Sequence, residues 1–188
     1  MHNQLNHKGT ITLETQRLIL RKFKLEDAEA MYSNWSSDEE VAKYMRWNAH
    51  KTIDETISII RSRIEHYSEP NNYHWVIVLK DELLPIGAIS LFCQSEYDRC
   101  GEVAYCLSQS FWGQGIASEA LTRVIRFGLA EIGFNRIEAY HAVNNPGSGK
   151  VMKKAGMQFE GRLRQKYRSH VGLEDSDLYA ILREDIVL

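Results

Sequence analysis

Proline and cysteine are scarce in this chain of 188 residues, with three of each. So few prolines, and no Gly/Ser-rich tract or internal repeat, leave nothing that reads as a linker. One domain over residues 1–188 is expected, with a core of about 12–184. The cysteines, Cys93, Cys100 and Cys106, lack C-x-x-C spacing, and their odd number speaks against a disulfide framework. No histidine stands in H-x-E or H-E-x-x-H, so no metal is expected. No run of eighteen apolar residues is present, and the opening MHNQLNHKGTITLE has no apolar signal core. Neither a membrane partner nor export is therefore expected, and the cytoplasm is the simplest location. Excess charge of one sign is missing too. A net charge of -2 lacks the basic character of a nucleic-acid binder.

What is present is clear periodicity. The stretch ITLETQRLILRKF ends in alternation and predicts a strand from about Leu18. Ala28, Met31, Tyr32 and Trp35 follow at helical spacing. Thr52 with Glu55 three places on forms a capping box, and Ile53, Ile57, Ile60, Ile64 and Tyr67 then share one helix face. Residues 73–80 and 86–93 read as a hairpin, and 101–108 as a third strand. A long helix over about 116–132 should end near Gly133, before a strand at 136–143. Asn145 as cap, Pro146 at the first position and Gly156 beyond the end spell a short helix. Two strands at 157–168 and 176–183 close the chain. Strand, helix and strand over 101–143 make one βαβ unit, so its two strands should be parallel neighbours. The fold class is mixed α/β, with a mostly antiparallel sheet.

One stretch points to chemistry. In FWGQGIASEAL, Gly113 and Gly115 flank Gln114 directly before a helix start. Glycine lets backbone approach a ligand closely, and the unpaired N–H groups of a helix N-terminus suit an anion. Three anions compete. A nucleoside triphosphate needs G-x-x-x-x-G-K-[ST]; Gly149-Lys150 supplies GK, but Val151 replaces the hydroxyl and Asn144 the first glycine. A dinucleotide needs G-x-G-x-x-G; Gly113, Gly115 and Ser118 nearly match, yet Glu138 lies at the start of its strand and only one βαβ unit exists. The third anion is the pyrophosphate of coenzyme A.

WGQGIASEAL resembles motif A of the GNAT superfamily of acetyl-CoA-dependent N-acyltransferases, Q/R-x-x-G-x-G/A, with Gly115-Ile116-Ala117 matching its second half and Trp112 departing from its first position. NPGSGKVMKKAGMQFEG resembles the N-x-x-S-x-x-V-(L/M)-x-K-x-G-(F/M) signature of its RimL-like branch, the ribosomal-protein N-acetyltransferases and their relatives. LETQRLILRKF resembles that branch's opening strand, and the element order is that of the GNAT fold, whose sheet splays at its parallel strand pair.

The resemblance implies roles. Acetyl-CoA would be held at the pyrophosphate by Gly113, Gln114, Gly115, Ile116, Ala117 and Ser118, helped by Lys150. Its pantetheine arm would lie along Val103–Leu107, including Cys106 and Leu107, with Asn145 at the far end. Glu102 would be the general base that frees the acceptor amine. Ser148 would stand near the leaving thiolate in place of the more usual tyrosine, a position held here by Met152. A backbone N–H near Tyr105 would polarise the carbonyl oxygen. Trp35, Trp47 and Tyr140, together with Tyr32, Tyr44 and Tyr167, would line the acceptor pocket; His141 reads as a core histidine. The implied acceptor is a protein or peptide N-terminal α-amine. A small amine (polyamine, amino sugar or amino acid) and a non-catalytic acyl-CoA-binding domain are the alternatives. Family analogy also allows a homodimer.

Overall fold

The structure, a computed structural model, describes residues 4–169 and 172–186. Among these, eight strands form one sheet in the order β1-β2-β3-β4-β5-β6-β8-β7. They are β1 Leu13–Glu14, β2 Leu18–Arg21, β3 Tyr73–Leu79, β4 Pro85–Ser95, β5 Cys100–Leu107, β6 Arg136–Ala142, β7 Gln158–Ser169 and β8 Gly172–Leu182. All neighbours are antiparallel except β5 and β6. The final hairpin inserts its second strand beside β6, which leaves β7 at the edge.

Helices cover both faces. On one lie α1 Ala28–Met31, continued by a π-turn Tyr32–Ser36, then α2 Glu39–Ala42 and α3 Ile53–Glu65. On the other lie α4 Ile116–Arg126, continued by a π-turn Phe127–Ile132, and α5 Pro146–Lys154. β3 is buried on both sides, as a central strand should be. Tyr73, Trp75 and Ile77 join the α4 core with Phe127, Phe134 and Ile137, and Val76 and Val78 join the α1–α3 core with Phe23, Trp35 and Ile60. Trp75 meets Phe127 edge-on at 5.8 Å, a geometry worth about 1 kcal/mol beyond its area.

The cap at Thr52 holds, with the return bond of the expected box shifted to the preceding residue. Thr52 Oγ1 accepts from the Glu55 N–H at 3.4 Å, while the Glu55 carboxylate reaches back to the Lys51 N–H at 3.0 Å. Gly133 ends the α4 run at φ 98°. The buried stripe of α3 is narrower than its isoleucines suggest. Thr56 and Ile60 are buried, and Ile64 is exposed. Two short elements, β1 and α2, escape periodicity. Asp38 begins α2 by accepting from the Glu40 N–H at 2.8 Å.

Candidate active site

The parallel pairing of β5 with β6 is brief. It runs Cys100↔Arg136, Gly101↔Ile137 and Glu102↔Glu138, then stops. Beyond Glu102 the two strands part and leave a seam between Val103–Leu107 and the end of β6. The edge of β5 along that seam is predictable. Ser108 N–H bonds the Ile86 carbonyl on the β4 side at 2.8 Å. Antiparallel strands alternate their main-chain groups with period two. Glu102, Ala104 and Cys106 therefore turn those groups to β4, and Val103, Tyr105 and Leu107 turn theirs to the seam. An exposed strand edge of this kind accepts an extended ligand as an added strand. Among the described residues, Trp112 Nε1 takes up the Leu107 carbonyl of this edge, at 2.8 Å.

The glycine turn lies at the end of β5. Gly113 and Gly115 have φ of 76° and 77°, values that side chains with a Cβ rarely adopt. Nothing lies within 4 Å of where a Gly113 Cβ would stand. Gly115 caps α4, so the N–H groups of Ile116, Ala117 and Ser118 lack intrahelical partners. The turn is braced from β2's approach. Arg17 Nη1 donates to the Gln114 carbonyl at 3.1 Å, and Glu119 binds Arg17 Nη2 at 2.6 Å and the Thr15 hydroxyl at 2.6 Å. Glu119 is thus neutralised, and the helix start keeps its positive end for an anion. Ser118 Oγ donates to the Val151 carbonyl at 3.5 Å, joining α4 to α5.

Two sets of polar side chains flank the seam on opposite faces. On the α4–α5 face, the Tyr105 hydroxyl meets Ser148 Oγ at 2.8 Å and the Ser148 carbonyl at 3.1 Å. Burial pushes the Tyr105 phenol well above its usual range. Asn145 Oδ1 accepts from the Ser148 N–H at 3.4 Å, and its amide nitrogen has no partner among the described residues. On the α1–α3 face stands Glu102, half-buried, with Gln94 Nε2 at 3.1 Å. Burial raises its pKa, although the Tyr140 hydroxyl, Lys166 and Arg46 pull the other way. Its neighbour Glu138 is held by Arg136 at 2.6 Å. The two carboxylates are thereby distinguished: Glu138 is ion-paired, whereas Glu102 forms no salt bridge among the described residues.

Around Glu102 the acceptor face is cationic and aromatic. Arg46 Nη2 donates to the Tyr140 hydroxyl at 2.9 Å, and its guanidinium lies 4.7 Å from the centre of the Tyr167 ring. Tyr140 and Tyr167 meet edge-on at 5.9 Å, and Lys166 Nζ stands 5.8 Å from the Tyr140 ring.

Residues 17–158 match the family model described as an acetyltransferase (GNAT) domain. This chain belongs to the GNAT acetyltransferases. It is an acetyl-CoA-dependent N-acetyltransferase with a GNAT fold. It is 33% identical over 171 residues to the uncharacterized N-acetyltransferase YoaA of Bacillus subtilis (strain 168), covering 91% of this chain and 96% of that one. To the ribosomal-protein-serine acetyltransferase of Escherichia coli (strain K12) it is 33% identical over 106 residues, 56% of this chain and 58% of that one. The GNAT-family acetyltransferase of Bacillus anthracis superposes with a TM-score of 0.81 at 26% identity, covering 93% of this chain and 99% of that one.

Acetyl-CoA carries an amide-bearing pantetheine arm and a pyrophosphate. A free strand edge suits its amide-bearing arm, and open N–H groups at a glycine turn suit its pyrophosphate. Some expected residues lie elsewhere. Trp35 is 1% exposed and packs in the α1–α3 core, so it cannot line an acceptor pocket. Trp47 is half-buried against the same core, its ring 5.7 Å from that of His50. Cys106 turns its backbone to β4 and its side chain to the α1–α3 core, away from the seam. Lys150 is exposed on α5, and Ile116 is buried, so Ile116 can offer only its N–H. Met152, at the position of the more usual tyrosine, is 1% exposed and packs in the α4 core. Arg46, Lys166 and the Tyr105 side chain were not anticipated. The only local signal was Arg46 within YMRW, a cation between aromatics.

Proposed function

We propose that this enzyme acetylates the α-amine of a protein or peptide N-terminus, as a member of the RimL-like branch. The observation that carries the reading is the open seam with a free carboxylate on one face and a hydroxyl pair on the other. Bound acetyl-CoA supplies the acetyl group as a thioester. Val103, Tyr105 and Leu107 hold its arm by their main-chain groups, Gly113 to Ser118 hold its pyrophosphate, and Asn145 offers its amide. Glu102, with its raised pKa, takes the proton of the acceptor ammonium. The Tyr105 N–H, aimed into the seam, is placed to polarise the carbonyl oxygen. Ser148, backed by the Tyr105 hydroxyl, donates a hydrogen bond toward the leaving sulfur. The cations Arg46 and Lys166 beside Glu102 disfavour a polyamine, whose own positive charges they would repel. The likeness to the ribosomal-protein-serine acetyltransferase supports a protein terminus.

The test is thiol release from acetyl-CoA with peptides, free amino acids, amino sugars and polyamines, followed by mass mapping of the product. Turnover with peptides, acetylated at the α-amine, supports the reading. Turnover confined to small amines would replace the acceptor. Binding of acetyl-CoA with no turnover on any amine would leave a non-catalytic domain.

A further inference from the structure

Beside Glu102 lies a cleft of about 450 Å³ between the end of α3 and strands β3 and β4, with Ser62, Arg63, His66, Asn72, His74 and Phe92 in its lining. Phe92 is the cross-strand partner of Glu102, so the two side chains share a face with Cβ atoms about 5 Å apart. The cleft therefore opens next to the free carboxylate. Its floor holds an anomaly. Arg63 is partly buried, and its Nη1 is shut off from solvent without a hydrogen-bond partner among the described residues. Its guanidinium stacks 4.6 Å from the centre of the Phe23 ring and forms no ion pair among the described residues. Three other partly buried arginines have anions: Arg21 pairs with Asp27, Arg123 with Glu131, and Arg136 with Glu138 and Glu160. A partly buried cation without an anion is destabilised, and binding an anion relieves that.

We propose that Arg63 is the anion subsite of the acceptor pocket and receives a carboxylate of the acceptor peptide. This rests on the acetyltransferase reading above and narrows its substrate class. Span decides the chemistry. Glu102 is not among the lining residues, and Phe92 on the neighbouring strand is the lining residue in register with it. That offset is one strand spacing, roughly 5 Å, before the reach to Arg63 on α3 is added. The amine and carboxylate of a free α-amino acid are too close together to bridge that distance. An extended peptide advances about 3.4 Å per residue, so an acidic side chain at its second or third position bridges it. The setting keeps the guanidinium unopposed. Desolvation holds His74 neutral, with its pKa lowered to about 4, and His74 Nδ1 is engaged by Ser90 Oγ at 2.7 Å. Glu69 also lines the cleft, and it is exposed.

The test compares peptides with Glu or Gln at positions two and three, on wild type and on Arg63→Met. Methionine keeps the apolar stem over Phe23 and removes the buried charge, so the variant should fold. Binding to the coenzyme A-loaded protein is read by calorimetry, alongside KM. The expected result is tighter binding of the Glu peptides by tenfold or more in wild type, and equal binding of both in Arg63→Met. A free amino acid should show no dependence on Arg63. Equal binding of Glu and Gln peptides to wild type would overturn the subsite, even if both are acetylated. An Arg63-dependent preference confined to a free amino acid would overturn the peptide assignment. Failure of every peptide to be acetylated, with acidic peptides still bound through Arg63, would count against the acetylation reading and not against the subsite.

Discussion

Gly149 sits in α5 directly after Ser148, and its environment permits a quantitative prediction. A Cβ at this position would stand 2.6 Å from His141 Nε2 and 3.2 Å from His141 Cε1. The histidine has no easy retreat. Its ring is buried and stacked on Tyr179 at 5.7 Å, and its Nδ1 is tied to the Ala142 carbonyl at 2.8 Å. Gly149→Ala must therefore push α5 off β6 or displace the ring. Overpacking of this kind costs about 2–3 kcal/mol, and the better helix propensity of alanine returns about 1. The net loss is about 1–2 kcal/mol, which lowers Tm by roughly 2–8 °C in a chain of this size. Calorimetry or chemical denaturation reads it directly. The decisive control is the same substitution in a His141→Ala background. There the obstruction is gone, and Gly149→Ala should stabilise by up to about 1 kcal/mol. Because the lifted helix carries Ser148 away from Tyr105, kcat should fall in the single variant. An unchanged or higher Tm for Gly149→Ala in the wild-type background would mean that His141 does not obstruct a Cβ at this position.

Other expectations follow from the same contacts. Glu102→Gln should lower kcat by about 10²–10⁴ with coenzyme A affinity retained, and should remove the acidic limb of the pH–rate profile. Its effect on stability has the opposite sign. A carboxylate whose folded pKa is raised binds its proton more tightly in the native state, so it destabilises the fold increasingly as pH climbs through the ordinary carboxylate range. Glutamine should therefore leave Tm at pH 7 unchanged or raise it. Tyr105→Phe removes the bond to Ser148 Oγ; it should cost about 1–2 kcal/mol of stability and lower kcat more than it alters KM for the amine, as steady-state kinetics will show. Asp27→Ala leaves Arg21 half-buried without its bidentate partner, and denaturant unfolding should report a loss of about 3–5 kcal/mol.

Much of the sheet was legible because strand alternation, helix caps and the single βαβ unit are local patterns. Thr52, Asn145, Pro146 and Gly133 each mark a boundary by their own backbone chemistry. The glycine turn was legible for the same reason, since its function lies in conformations that only glycine adopts freely. What escaped depends on distance along the chain. The Tyr105–Ser148 pair joins residues 43 apart, and Arg46 reaches Tyr140 across 94. Trp35 misled because helical spacing marks a buried face without saying whether core or pocket fills it. Arg63 is harder still: an arginine on an amphipathic helix reads as solvated, and only packing reveals that it lacks an anion. The two-residue strand β1 and the exchanged order of β7 and β8 follow from long-range pairing, which no local period encodes.

We propose that the seam beside β5 is the cradle of the acetyl donor. Amide hydrogen exchange with and without acetyl-CoA is the test. Strong slowing is expected at Val103, Tyr105 and Leu107 and at Ile116 to Ser118, with Ala104 and Cys106 little changed because β4 already protects them. Saturating acetyl-CoA that left the amides of Val103, Tyr105 and Leu107 exchanging as before would contradict it.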